Sequence, residues 1–175
     1  MIFTETRLQG AFVMELEKVE DERGFFAHGW SAKELGEHGL ETPLAESAVS
    51  FNRKRGTLRG MHYQASPHGQ VKIVRCTMGA LYDVIVDLRI ESPTFRRWVA
   101  VELTAANRLM LYVPKDFAHG FQTLDDDTEL CYHMSHAYMP ESARGVRWND
   151  PAFGIEWPID ERTIIARDRE YPNLI

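Results

Sequence analysis

Between residues 70 and 135 the chain runs as short apolar segments parted by brief polar or glycine–proline breaks. Gln70–Met78, Ala80–Leu88, Trp98–Leu103, Leu109–Val113 and Glu129–Ser135 are rich in valine, isoleucine, leucine, tyrosine and tryptophan. Gly79, Ser92-Pro93, Ala105-Ala106-Asn107, Pro114-Lys115-Asp116 and Asp125-Asp126-Asp127 separate them. Runs of this length and composition, bounded by turn residues, read as strands. Many short strands with no helical pattern between them predict an all-β fold, an antiparallel sandwich or barrel. One helix stands out. Ser31-Ala32-Lys33-Glu34 has the pattern of a capping box, with Ser31 as N-cap and Glu34 reaching back, and Gly36 and Gly39 are expected to stop it early. The C-terminal part, 148–175, carries Pro151, Pro158 and Pro172 and is expected to wrap the barrel as turns with one or two short helices.

Composition narrows the class. The 175 residues suit one domain spanning 1–175, with no internal repeat or linker. A formal net charge of -6 argues against general nucleic-acid binding, which needs a basic surface, yet a few arginines gathered in one cleft can still hold a phosphate ester. Cys76 and Cys131 sit in apolar, strand-like stretches and are expected to be buried free thiols. The N-terminal residues carry no basic start followed by a long apolar run, and no apolar run has the length to cross a bilayer. The expectation is a cytoplasmic protein with no membrane partner.

Four segments place reactive side chains on expected strands: Thr57–Gln64, Gln70–Val74, Val113–Phe121 and Glu129–His133. Alternation puts Lys72 on the face of Val74 and Cys76, where it is either an edge lysine that discourages aggregation or a lysine pointing into a barrel lumen. The same rule puts His62 with Leu58, Gly60 and Gln64, so Arg59 falls on the opposite face unless Gly60 marks a bulge. His119 follows a Pro-x-x-x-x-His pattern at the end of a strand. Tyr132 shares a face with Leu130 and Met134 and reads as a core tyrosine with its hydroxyl at the rim. Asp168 reads on its own as a turn residue. Each has an ordinary structural explanation, and the functional reading rests on their joint occurrence. Jelly-roll metal sites pair two histidines one residue apart with a glutamate; Met61-His62-Tyr63-Gln64 offers one histidine, and His133 and His136 do not restore the spacing, so no metal is expected.

With these residues in view, the chain resembles the dTDP-4-dehydrorhamnose 3,5-epimerase family over nearly its full length. The segments that carry the resemblance are Asp21–Phe26, Gly56–Gln64, Asp83–Arg89, Ser92–Phe95, Val113–Phe121, Trp148–Pro151 and Ala166–Asp168. The resemblance implies a cupin-type jelly roll with short peripheral helices, a homodimer, no metal and no cofactor. It implies a nucleotide-linked 4-keto sugar as substrate. It also implies roles: His62 as general base, Asp168 as the carboxylate that supports it, Tyr132 as general acid from the other side, and Lys72 as the cation at the keto oxygen with His119 near it. Arg23, Phe26 and Arg59 match substrate-binding positions, Arg59 at the diphosphate, and Tyr138 matches the tyrosine that stacks on the nucleobase. The chemistry suits these residue types. Protons on the carbons flanking a ketone are acidic, their removal gives an enolate that needs a fixed cation, and a histidine near neutrality is a fitting base.

The family pattern is altered at several positions of substrate contact. His28 and Ala143 stand where the family has carboxylates, Ser47 and Val49 where it has an amide pair, and Arg167 where it has a lysine. These changes alter the hydrogen bonds read from the nucleotide. Alternatives are therefore a GDP- or CDP-linked 4-keto sugar, epimerisation at one carbon or ketoisomerisation, a non-catalytic nucleotide-sugar-binding jelly roll, and a metal-dependent cupin oxygenase.

Overall fold

The computed structural model describes residues 1–41 and 43–174. Thirteen strands form among them. Those of the first half are β1 (Ile2–Glu5), β2 (Phe12–Glu15), β3 (Val19–Asp21), β4 (Gly24–Phe26), β5 (Glu46–Asn52) and β6 (Leu58–Gln64). They are followed by β7 (Lys72–Met78), β8 (Ala80–Asp87), β9 (Trp98–Thr104), β10 (Met110–Val113), β11 (Phe117–Thr123), β12 (Thr128–Met134) and β13 (Ala143–Gly145). A six-stranded sheet runs β1-β2-β10-β7-β12-β5, a five-stranded sheet runs β13-β6-β11-β8-β9, and β3 and β4 form a separate hairpin. All pairings in the sheets are antiparallel. This is the antiparallel sandwich expected from the spacing of the apolar runs, in the jelly-roll form that the family resemblance implies. Each of the five expected segments between 70 and 135 forms a strand; the first begins at Lys72, because Val71 instead exchanges hydrogen bonds with Ser135.

Alternation along the strands builds the interior. Val74, Cys76, Leu81, Ile85, Leu111, Phe117, Phe121 and Leu130 project between the sheets and pack as one cluster. The C-terminal tail covers the outer face of the five-stranded sheet with Phe153, Trp157 and Ile164 against Leu58, Met61, Val84 and Val86. Helix α1 (Ala32–Glu37) sets Leu35 against Ile73, Met110 and Tyr112 on the outer face of the other sheet. Ser31 caps α1 by accepting the Glu34 N–H, as expected. Glu34 does not reach back: its carboxylate is taken by the Met1 α-amino group and His28 Nδ1. Gly36 lies inside the helix, and the chain turns at Gly39, whose φ of +69° is left-handed. The tail contains one short helix, α2 (Ala166–Glu170), and its last residue, Ile175, lies outside the described residues. Both cysteines are free; Cys76 is buried, whereas Cys131 is half-buried on the outer face of β12 rather than in the core.

Two features of the strands decide where the polar residues point. β7 lies between β10 and β12, so the edge-strand explanation of Lys72 fails and its side chain enters the interior beside Val74 and Cys76. In β6, the pairing with β11 sets His62 opposite His119 but Arg59 opposite Phe121, three residues against two. The extra residue is a bulge at Gly60. Strict alternation therefore breaks there: Leu58 and Met61 both face outward into the tail, while Arg59 and His62 both face inward. The expectation that His62 shares a face with Leu58 is corrected by this bulge. Gly60 has φ +138°, and a Cβ on it would come 2.6 Å from the Gly120 Cα. Only glycine combines that backbone with that approach.

Gly60→Ala is thus expected to lower the unfolding free energy by about 2 kcal/mol or more, measured by chemical denaturation. A change below about 0.5 kcal/mol would mean that the bulge does not depend on this contact.

Candidate active site

At one end of the sandwich the two sheets part around a cavity of about 340 Å³, within the size range of small-molecule sites. The six-stranded sheet contributes Ala48 and Ser50 from β5, Lys72 from β7, and Tyr132 and Met134 from β12. The five-stranded sheet contributes Arg59, His62 and Gln64 from β6, His119 and Phe121 from β11, and Ala143 and Arg144 from β13. Arg167 of α2, together with Tyr138 and Tyr171, closes the rim. Among the described lining residues there are four permanent or near-permanent cations, Arg59, Lys72, Arg144 and Arg167, and no carboxylate. Such a cavity favours an anionic ligand. No three histidine, cysteine, aspartate or glutamate side chains converge as metal ligands among the described residues.

His62 and Asp168 form a pair. His62 Nε2 lies 2.9 Å from Asp168 Oδ1, and Asp168 Oδ2 accepts the Gly60 N–H at 3.1 Å. Burial pushes the Asp168 carboxyl up, but the bonds from His62, Gly60 and Arg167 outweigh it and hold the group below its ordinary range. An ionised carboxylate only accepts, so the imidazole proton sits on Nε2 and Nδ1 keeps its lone pair. Burial lowers the His62 pKa; Asp168 works against that, and Lys72 and Arg167 add to it. The result is a neutral imidazole with one basic nitrogen, stacked edge-on against Tyr171 at 5.7 Å. Asp168 is therefore buried in α2 and is no surface turn residue.

Across the cavity, Tyr132 packs on the core cluster and sits edge-on to His119, with ring centroids 6.0 Å apart. Burial, then Asp83, drives its hydroxyl pKa up, so the phenol keeps its proton. His119 Nε2 lies 2.7 Å from Asp83 Oδ1. His119 stands in the middle of β11 on the face of Phe117 and Phe121, buried, rather than at a strand end as its sequence pattern suggested. Burial brings the Lys72 ammonium down to about 8, with Asp83 opposing the shift, so it remains mostly protonated at neutral pH. Its Nζ donates to the His62 carbonyl at 3.4 Å.

The four expected catalytic residues, His62, Lys72, Tyr132 and Asp168, thus converge. Arg59, His119, Tyr138, Arg167 and the exposed Val49 also border the cavity. Arg59 is held by Asn52, whose Oδ1 accepts its Nε at 2.7 Å. Four expected substrate-binding residues lie elsewhere in this chain. Ser47 is on the outer face of β5, its Oγ 3.9 Å from Cys131 Sγ, because the pairing of β5 with β12 gives it the parity of Cys131 and His133. Arg23 pairs with Asp21 at the tip of the β3–β4 hairpin, Phe26 is 70% exposed there, and His28 bonds Glu34. Sequence reasoning passed over Asp83, Asn52, Arg144 and Tyr171. Asp83 had a signal, a carboxylate set among Leu81, Val84 and Ile85 on a core strand; the other three have none.

The profile of the dTDP-4-dehydrorhamnose 3,5-epimerase family matches residues 5–175. The chain is 39% identical to a dTDP-4-dehydrorhamnose 3,5-epimerase of Salmonella typhimurium, with 99% of this chain and 96% of that protein covered. It is similar in structure to the dTDP-4-dehydrorhamnose 3,5-epimerase of Bacillus anthracis solved with TDP and pyrophosphate bound, with TM-score 0.94, 39% identity and 99% of both chains covered. It is also similar to the Legionella pneumophila epimerase solved with dTDP-4-keto-L-rhamnose, with TM-score 0.91, 33% identity, 98% of this chain and 92% of that one covered.

The geometry of the pair gives a direct test. His62 is expected to titrate below the ordinary value of about 6.5, and Asp168→Asn to lower it further, because the carboxylate favours the imidazolium. Imidazole resonances followed by NMR against pH measure both. An Asp168→Asn variant whose His62 titrates higher than in the parent would contradict the pairing.

Proposed function

The chain belongs to the dTDP-4-dehydrorhamnose 3,5-epimerase family, and from that premise we propose that its cavity inverts the carbons flanking the ketone of a dTDP-linked 4-keto-6-deoxy sugar. The observation that carries this reading is that a neutral imidazole and a protonated phenol come from opposite sheets and face one cavity. His62 Nδ1 takes the proton from the carbon beside the ketone. The C–H electron pair moves into the ring and places negative charge on the keto oxygen. The Lys72 ammonium stabilises that enolate at a fixed position. Tyr132 then delivers a proton to the opposite face of the carbon, which inverts it; the phenolate regains a proton from solvent and the His62 imidazolium releases one to solvent, which restores both groups. Asp168 holds the imidazole in the tautomer this requires and supports the imidazolium that forms. A non-catalytic binding module has no use for such opposed proton-transfer groups.

The rim supports the rest of the substrate. Arg59, Arg144 and Arg167 offer charge-assisted bonds to a diphosphate, and exposed Tyr138 offers a stacking face for the base. The relatives favour thymidine as that base; GDP- and CDP-linked sugars are the comparison substrates, given Ala143 and His28.

A homodimer accounts for the residues that stand outside the cavity. The β3–β4 hairpin leaves Val19 72% and Phe26 70% exposed, and edge strand β5 leaves Val49, at the cavity border, 63% and Phe51 44% exposed. Apolar surface of this kind marks an interface. In our reading the hairpin of a second copy brings Arg23, Phe26 and His28 to this cavity.

In deuterium oxide, His62→Ala is expected to lose both exchange and inversion by about 10³-fold. Tyr132→Phe is expected to keep solvent exchange at a flanking carbon while inversion collapses; equal loss of both by Tyr132→Phe would remove it as the acid. By sedimentation the protein is expected at about 40 kDa, twice its 20.2 kDa chain mass, and Phe26→Asp is expected to shift it toward the monomer with loss of activity. A fully active monomer would refute the shared site.

A further inference from the structure

Tyr171 follows α2 directly, three residues after Asp168. Its ring lines the cavity and meets His62 edge-on, with centroids 5.7 Å apart. On its other side it lies against Gly145 of β13 so closely that a Cβ there would fall 2.5 Å from the ring carbons. The backbone is pinned too: the Tyr171 carbonyl accepts Arg147 Nε at 3.0 Å, and the Pro172 carbonyl accepts the Arg147 N–H at 3.0 Å. One short segment therefore supplies both the carboxylate that bonds His62 and the aromatic ring that abuts it.

We propose that Tyr171 is a positioning residue for the base of the epimerisation. Seated on Gly145, it confines the His62 imidazole and shields it from water. The Asp168 bond fixes one nitrogen of that ring but leaves it free to swing about the bond; an aromatic wall on the imidazole removes that freedom. The contact is between the two rings, at 68° to one another, so the wall requires the ring and not the hydroxyl. The glycine at 145 follows from the same need, since any side chain there would push the ring out of its seat. This inference rests on the reading of His62 as base.

The charged and titratable groups around His62 are Asp168 and Arg167 from α2, Lys72 from β7, His119 directly across on β11, and Tyr171 itself; β13 pairs Gly145, without a side chain, against His62, and Arg59 and Arg144 line the same cavity. Of these, Asp168 favours the imidazolium, and Lys72, Arg167 and burial disfavour it. Taking away the Tyr171 ring admits water while leaving the other partners in place. His62 should then bind its proton more readily.

The test compares Tyr171→Phe, Tyr171→Ala and Gly145→Ala in the full chain, each checked for parental thermal unfolding. Tyr171→Ala is expected to lower kcat about tenfold with little change in KM, and to raise the pH of the acid limb of the rate profile together with the NMR titration of His62. Tyr171→Phe is expected to restore both to parental values. Gly145→Ala should act in the same direction, and adding it to Tyr171→Ala should cost nothing more, because the ring it displaces is already gone. A rise in KM at unchanged kcat would make Tyr171 a substrate contact and overturn the proposal. So would an unmoved His62 titration, or a Tyr171→Phe variant as impaired as Tyr171→Ala. If the parent protein neither exchanges nor inverts any 4-keto sugar, the reading of His62 as base falls; the titration of His62 still decides whether Tyr171 shields it.

Discussion

The carboxylate of Asp168 holds the site together. One oxygen takes the Gly60 N–H at the bulge of β6, and the other takes His62 Nε2 two residues further on. Arg59 and His62 enter the cavity only because that bulge adds a residue, and the bulge exists only where Gly60 lies against Gly120. A single buried anion thus joins the irregularity that aims His62, the base of our proposal, to the imidazole itself. Its ionisation costs burial energy, which the donors around it more than repay in the direction of its pKa.

The sandwich then supplies what inversion needs. Two sheets face each other, and inward positions on both can reach the same substrate from opposite sides. His62 comes from one sheet and Tyr132 from the other, with Lys72 beside them on the strand next to Tyr132. Polar residues set this deep displace core packing, and the fold contains the cost by gathering them at one end, where Val74, Leu81, Ile85 and Leu130 fill the remainder. Asp83 and His119 satisfy one another in the same region at 2.7 Å. Membership of the epimerase family and this opposition of groups point to one chemistry.

Much of the barrel was legible because interior strands must be apolar: β7, β8, β9, β10 and β12 announced themselves by composition. The β3–β4 hairpin did not, since every residue in it is exposed and no alternation marks it. The inward aim of Lys72 was undecidable without knowing that β7 is interior. Asp168 looked like a turn residue because its partners lie 106 and 108 residues away. The bulge at Gly60 was only a possibility, because it depends on a glycine sixty positions along on another strand. Of the substrate-binding expectations, the resemblance pointed to Arg23, Phe26, His28 and Ser47, and none reaches the cavity of its own chain.

The account turns on opposed proton transfer, and a crystal structure of the protein with an unreactive dTDP-hexose in the cavity tests it most directly. The account predicts His62 Nδ1 against one face of the pyranose ring, the Tyr132 hydroxyl against the other, and the Lys72 ammonium at the oxygen on carbon 4. A sugar with both groups on the same face, or one bound away from His62 altogether, would contradict it.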